Sequence, residues 1–89
     1  MREVVTTTAF RKDVKRMRRR GKDLARLEAV VELLAAGKAL EPRHVPHPLT
    51  GNWKPLWDLH IEPDWLLIYR VTDEAVMLAR TGTHSDLFN

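Results

Sequence analysis

The chain has 89 residues, of which 44% are hydrophobic and 30% charged, with a formal net charge of +3 and no cysteine. That length organises a single domain, 1–89, and excludes a two-domain enzyme; the composition excludes a disordered chain, and the lack of cysteine excludes disulfide and thiolate-zinc scaffolds. The longest apolar runs, Trp65 to Tyr69 and Ala75 to Ala79, are five residues each, against the roughly 18 of a membrane span, and the opening Met1-Arg2-Glu3-Val4-Val5 has no signal-peptide core, so the expectation is a cytoplasmic protein with no membrane contact.

Residues 2–7 are rich in β-branched side chains and predict an opening strand, after which Thr7 or Thr8 caps a helix. Phe10, Val14 and Met17 fall at i, i+4 and i+7, one apolar stripe among cations, until Gly21. A second helix starts at Asp23 with Leu24, Leu27, Val31 and Leu34 on one stripe and stops at Gly37, so the two form an αα-hairpin. From Lys38 to Pro55, four of the five prolines rule out a long helix or a central strand and predict an ordered loop or one short edge strand.

Trp57, Leu59 and Ile61 then alternate with Asp58, His60 and Glu62, the period of a half-buried strand that puts Asp58, His60 and Glu62 on one face. Pro63-Asp64 turns into Trp65–Val71, a strand apolar enough to be covered on both faces, and Thr72-Asp73-Glu74 turns into a last strand over Ala75–Arg80, closed by Gly82. Connections this short give an antiparallel meander. The tail, Thr83 to Asn89, makes a helical turn or docks as coil. The predicted class is α+β, in the order β-α-α-β-β-β, with an antiparallel sheet packed against the αα-hairpin.

Charge is unevenly spread. Residues 1–22 hold nine basic and two acidic groups, a net of +7, and residues 23–89 a net of −4. The cations Lys12, Lys15, Arg16 and Arg19 lie on the first helix, where a run of like charge is either a solvated face or a footprint for a polyanion such as RNA or DNA.

All four histidines, His44, His47, His60 and His84, follow the helices. Several imidazoles converging on one sheet edge would make an acid/base site at neutral pH. RNA cleavage without a metal needs a base for the ribose 2′-hydroxyl, an acid for the leaving 5′-oxygen and a cation for the phosphoryl oxygens. Histidines with Asp64 can supply the proton transfers, and Arg80 the cation. Phe88 either stacks an unpaired base or anchors the C-terminus in the core, and Trp53, Trp57 and Trp65 read as core or interface residues. His60 and Asp64 with a further histidine would be a 2-His-1-carboxylate set, but Pro63 and the strand alternation oppose the helix that spacing needs. No H-E-x-x-H, Gly-rich phosphate loop or dinucleotide fingerprint is present, so no metal and no cofactor is expected.

The segments His47-Pro48-Leu49-Thr50-Gly51-Asn52-Trp53-Lys54, Trp57 through Tyr69 with its His60-Ile61-Glu62-Pro63-Asp64-Trp65 core, and Arg80-Thr81-Gly82-Thr83-His84-Ser85-Asp86-Leu87-Phe88 resemble the YafQ family of bacterial toxins within the RelE/ParE superfamily. The resemblance covers nearly the whole chain, Phe10-Arg11-Lys12-Asp13-Val14-Lys15 included. It implies a RelE-like, microbial-RNase-like α+β toxin that cleaves mRNA in the ribosomal A site by metal-independent acid/base catalysis. It also implies a cognate DinJ-like antitoxin, with the antitoxin–toxin complex binding operator DNA. Residue by residue it implies His47, His60, Asp64 and His84 as catalytic, with His84 and Asp64 moving protons, His47 and His60 orienting the ribose and phosphate, and Arg80 neutralising charge. Trp65 and Phe88 match positions linked to activity or substrate contact, and Lys12, Lys15, Arg16 and Arg19 would then meet RNA phosphates. The alternative is a ParE-like gyrase-inhibiting toxin without nuclease activity, which has no need of three histidines and a carboxylate around one site.

Overall fold

The computed structural model describes residues 1–88. Strand β1 (Glu3–Thr6) leads into α1 (Thr8–Arg19) and α2 (Leu24–Ala36). A loop with two 3-10 turns, Pro42–His44 and Gly51–Trp53, carries the two-residue β2 (His47–Pro48). The meander β3 (Trp57–Glu62), β4 (Trp65–Val71) and β5 (Ala75–Gly82) follows, and the short helix α3 (His84–Phe88) ends the described chain. Of the two forms open to the tail, a helical turn or docked coil, His84–Phe88 takes the helical one, and Asn89 lies outside the described residues.

The helix ends follow from local chemistry. Thr7 caps α1, its Oγ1 accepting from the Phe10 N–H at 2.9 Å and donating to the Ala79 carbonyl at 2.7 Å, so one hydroxyl both starts the helix and ties it to β5. Three arginines, Arg16, Arg18 and Arg19, occupy the last turn, where they complement the negative end of the helix dipole. Asp23 caps α2 through the Ala25 N–H, and Gly37 ends it at φ +69°, with the Lys38 N–H on the Leu33 carbonyl.

The sheet order is β1-β5-β4-β3-β2. From β2 to β5 it is antiparallel, as the short connections require, but β1 pairs with β5 in parallel, Glu3 opposite Ala75 through Thr6 opposite Leu78. The sheet is thus mixed where the sequence predicts an antiparallel one. The cause is connectivity: β1 runs directly into α1 with no hairpin, the helices carry the chain across one face, and the meander returns β5 alongside β1 in the same sense.

Each face has its own apolar layer, and β4 serves both. Trp65, Leu67 and Tyr69 pack with Leu59, Ile61, Val76 and Leu78 against Phe10, Met17, Leu27, Val30 and Leu34 of the hairpin. Leu66 and Ile68 pack on the other face with Ala79 and Leu87, under Leu49, Trp53 and Leu56 of the proline-rich loop. Desolvation of Tyr69 in the first layer pushes its phenol up to about 12. The loop and α3 cover the second face only in part, which leaves a polar region beside β3 and the end of β5. Among the described residues no helix is long and apolar enough to cross a membrane.

Candidate active site

Strand register assembles the site. His47, Asp58, Ile68 and Arg80 form one cross-strand row, and His60, Leu66 and Gly82 the next. Directly paired residues point to the same side of a sheet, as do residues two apart on a strand. His47, Asp58 and His60 therefore share a face, with Arg80 two strand spacings from Asp58, roughly 10 Å along the row. Glu62 departs from the alternation. The register shifts between His60 and Glu62, and the Glu62 carboxylate instead meets Lys22 at 2.8 Å and Arg26 at 3.2 Å in the helical hairpin.

His84 reaches this face from the turn after β5. Thr83 and Asp86 cap α3 reciprocally, Thr83 Oγ1 accepting from the Asp86 N–H at 3.1 Å and Asp86 Oδ2 from the Thr83 N–H at 2.9 Å. Gly82 makes the approach possible, since a Cβ there would lie 2.9 Å from Asp86 Cβ. The two Nη atoms of Arg20 bind the same carboxylate at 2.6 and 3.0 Å, and this guanidinium above all holds the Asp86 carboxyl far below the usual carboxylate range. His84 thus sits on a turn clamped to α1.

Asp64, in the β3–β4 turn, accepts two bonds on Oδ1, from the His84 backbone N–H at 2.9 Å and from His84 Nδ1 at 2.5 Å. The backbone bond first, and the ring bond second, hold the Asp64 carboxyl below its ordinary range. Asp64 is ionised at neutral pH and fixes a proton on Nδ1, which leaves Nε2 as the exchanging atom of His84. The His60 ring lies edge to face with His84, centroids 5.8 Å apart at 84°.

Behind these rings is Asp58, only 4% exposed. His47 Nδ1 lies 3.0 Å from its Oδ1, within ion-pairing range but off the hydrogen-bonding line, so that oxygen has no hydrogen-bond partner among the described residues. Burial pushes the Asp58 carboxyl up, and His47, His60 and His84 pull it back in that order. Asp58 is thus a buried carboxyl that faces all three imidazoles.

Arg80 is fixed from the opposite side. Its Nε and Nη2 bind the buried carboxylate of Asp13 at 2.6 and 3.1 Å, which raises the pKa of the guanidinium, and Nη1 makes no hydrogen bond among the described residues. Phe88 packs edge to face on Trp53 with centroids 5.4 Å apart and remains 41% exposed, while Leu87 beside it is the buried anchor. Lys12, Lys15, Arg16, Arg19 and Arg20 line a shallow groove of about 460 Å³ on the outer side of α1. Among the described residues no three His, Asp or Glu side chains gather as a metal site.

The family described as "Bacterial toxin of type II toxin-antitoxin system, YafQ" matches residues 2–89. A curated relative from Escherichia coli K12, the mRNA interferase toxin YafQ, is 41% identical over 88 residues, 98% of this chain and 96% of its own. The chain belongs to the YafQ family. The crystal structure of YafQ from E. coli BL21(DE3) superposes with a TM-score of 0.93 at 39% identity, covering all of both chains. The toxin in the crystal structure of the E. coli DinJ-YafQ toxin-antitoxin complex does so with a TM-score of 0.91 at 40% identity, covering 99% of this chain and 98% of that one.

In this YafQ-family toxin the expected residues His47, His60, Asp64 and His84 do converge on one sheet face, with Arg80 and Phe88 at its border. Trp65 does not join them. It is completely buried in the helix-side layer and spends its indole N–H on Thr81 Oγ1 at 2.9 Å, so it has no surface to offer RNA. Of the α1 cations, Lys12, Lys15 and Arg19 are exposed, whereas Arg16 is pinned to Asp13 at 2.8 Å. His44, outside the family motif, is buried and accepts the Glu41 N–H on Nδ1. Two carboxylates beside this cluster, Asp58 and Asp13, are not among the expected site residues. Asp58 was signalled by its alternation with His60, but nothing local to Asp13 announces that it meets a strand 67 residues later.

Proposed function

We propose that this protein is the toxin of a type II pair and an endoribonuclease that cleaves mRNA on the ribosome without a metal. The observation that carries the reading is the Asp64–His84–His60 cluster on an exposed sheet face, flanked by His47 and Arg80. The curated relative's name, mRNA interferase, supports the same substrate.

In the proposed reaction the ribose 2′-hydroxyl loses its proton to His60, and its oxygen forms a bond to the adjacent phosphorus. The bond from phosphorus to the 5′-oxygen breaks, and that oxygen takes a proton from Nε2 of His84. The products are a 2′,3′-cyclic phosphate and a 5′-hydroxyl. This assignment departs from the expected one, in which Asp64 moves a proton and His60 orients the substrate: here His60 takes the base role, and ionised Asp64, bound to His84 Nδ1, orients and stabilises the His84 imidazolium without itself transferring the proton. His47 and Arg80 offset charge on the phosphoryl oxygens. Phe88, 41% exposed, offers a ring on which a splayed base can stack.

Lys12, Lys15 and Arg19 supply the sequence-independent attraction to ribosomal RNA phosphates. The partner that silences the toxin is a DinJ-like antitoxin whose acidic, partly disordered segment folds over the basic or catalytic face. The resulting complex binds operator DNA through the antitoxin.

Primer extension on mRNA translated in a reconstituted bacterial system, with wild-type protein and His84→Ala, tests the reading. Codon-phased cuts that require both ribosomes and His84 are expected. Intact mRNA from folded wild-type protein would overturn it and direct attention to gyrase.

A further inference from the structure

The free edge of β5 carries a group whose connections reach both the basic helix and the proposed site. Pairing between β1 and β5 stops at Leu78, so the edge of β5 beyond it has no strand partner among the described residues. α1 takes over that edge. The Thr7 N–H binds the Leu78 carbonyl at 3.2 Å, Thr7 Oγ1 the Ala79 carbonyl at 2.7 Å, and the Thr81 N–H binds Asp13 Oδ2 at 3.1 Å. Asp13 is 2% exposed, far from usual for a carboxylate on an amphipathic helix, and both its oxygens are occupied. Besides Thr81 it accepts Arg80 Nε at 2.6 Å, Arg80 Nη2 at 3.1 Å and Arg16 Nη2 at 2.8 Å.

A planar guanidinium held by two of its nitrogens has one orientation left for the third. Arg80 shares its cross-strand row with Asp58 and His47. We propose that Asp13 is a positioning residue for cleavage: it clamps the Nε/Nη2 edge of Arg80 so that Nη1 is presented to the scissile phosphate before substrate arrives. The inference rests on the nuclease reading and adds to it a residue on the far side of the sheet edge. An unclamped arginine has several rotatable bonds to freeze at the moment of reaction, and a misplaced charge-stabilising group loses most of its catalytic effect. Asp13 touches no substrate. Its second ligand, Arg16, lies in the groove lined by Lys12, Lys15 and Arg19 and is held back from it by Asp13, so loss of Asp13 has two separable consequences, on the chemical step through Arg80 and on the groove's charge through a released Arg16.

Single-turnover cleavage of mRNA on programmed ribosomes separates them when measured for wild type, Asp13→Asn, Arg80→Ala and the double variant across ribosome concentration. Asp13→Asn retains an acceptor for the Thr81 N–H and removes the charge. The expected result is a loss of about 30-fold in the rate at saturating ribosomes, with the half-saturating concentration changed less than about threefold. In the Arg80→Ala background the same substitution is expected to change the rate less than about twofold, because no guanidinium remains to be positioned. A rate loss that multiplies fully onto Arg80→Ala, or a wild-type rate for folded Asp13→Asn, overturns the proposal. If Asp13→Asn does not fold, Asp13→Glu keeps the charge, displaces the clamp by one methylene, and is read through the same cycle. An inactive, folded wild-type protein is a different failure, that of the nuclease reading, and the positioning role falls with it.

Discussion

His84 donates twice to one oxygen of Asp64, from its backbone N–H at 2.9 Å and from ring Nδ1 at 2.5 Å. The double attachment fixes the position of the ring as well as its tautomer, although the residues come from different turns. Asp64→Asn preserves an oxygen for the backbone bond but not the charge that stabilises the imidazolium. The expected outcome is a loss of about 100-fold in the single-turnover cleavage rate, with little change in thermal stability. A rate within about threefold of wild type contradicts the assigned role of Asp64.

Asp58 is expected to show the opposite balance between stability and activity. Its native pKa is raised by burial, so folding favours the protonated form. The resulting penalty is absent below the unfolded carboxylate value of about 4, sets in as pH rises through the native value, and is complete above it. Asp58→Asn is therefore expected to raise Tm at pH 7 by on the order of 4–8 °C, equivalent to roughly 1 kcal/mol in a domain of this size, and to lose that advantage below pH 4. Cleavage should fall in the same variant as the imidazoles lose their shared counter-charge. Calorimetry at pH 7 and pH 3.5 checks the sign.

Asp86 behaves conversely. Arg20 and the reciprocal cap with Thr83 lower its native pKa, so its contribution is fully present above the unfolded value and is lost as pH falls through the native one. Asp86→Ala is expected to cost about 1–2 kcal/mol at pH 7, through the lost cap and an unpaired Arg20. The wild-type and variant urea midpoints should converge in acid.

Trp65 separates packing from RNA contact. Trp65→Phe retains most of the buried ring and removes the bond to Thr81, with an expected cost of about 1 kcal/mol and cleavage by the folded protein unchanged. Trp65→Ala should cost about 3–5 kcal/mol and leave little folded protein. A folded Trp65→Phe variant deficient in RNA binding would count against the buried assignment.

Local chemistry wrote much of this fold legibly. Thr7, Asp23 and Gly37 mark helix ends because capping is a matter of a few adjacent residues, and β4 reads as doubly covered because Trp65 to Tyr69 is apolar without interruption. The parallel pairing of β1 was not legible, since it depends on where β5 returns after the whole meander. Nor was the exit of Glu62 from the His60 face, which a register shift causes. In the site, the histidines and Asp64 stood out by residue type. Asp13 sits in a basic helix like any i, i+3 partner of Arg16, and only the tertiary fold brings Arg80 to it. The reverse holds for Trp65, where family resemblance pointed to substrate and the layer around β4 shows a core residue.

The exposed α1 cations predict a graded effect. Lys12→Gln, Lys15→Gln and Arg19→Gln should each weaken ribosome binding similarly for all mRNA sequences and reduce the salt slope by about one ion. Binding measured by sedimentation between 50 and 200 mM salt reads the slope directly, and an unchanged slope in the triple variant would remove α1 from the interface.

In the proposed reaction the ribose 2′-hydroxyl is the nucleophile, under acid/base control by His60 and His84. The most direct test is cleavage of a ribosome-bound mRNA carrying one 2′-deoxynucleotide immediately 5′ of the scissile phosphate, beside the all-ribose control. The all-ribose control is expected to be cut to a 2′,3′-cyclic phosphate while the 2′-deoxy site stays intact. Cutting of the deoxy site at the control rate would contradict that role of the 2′-hydroxyl.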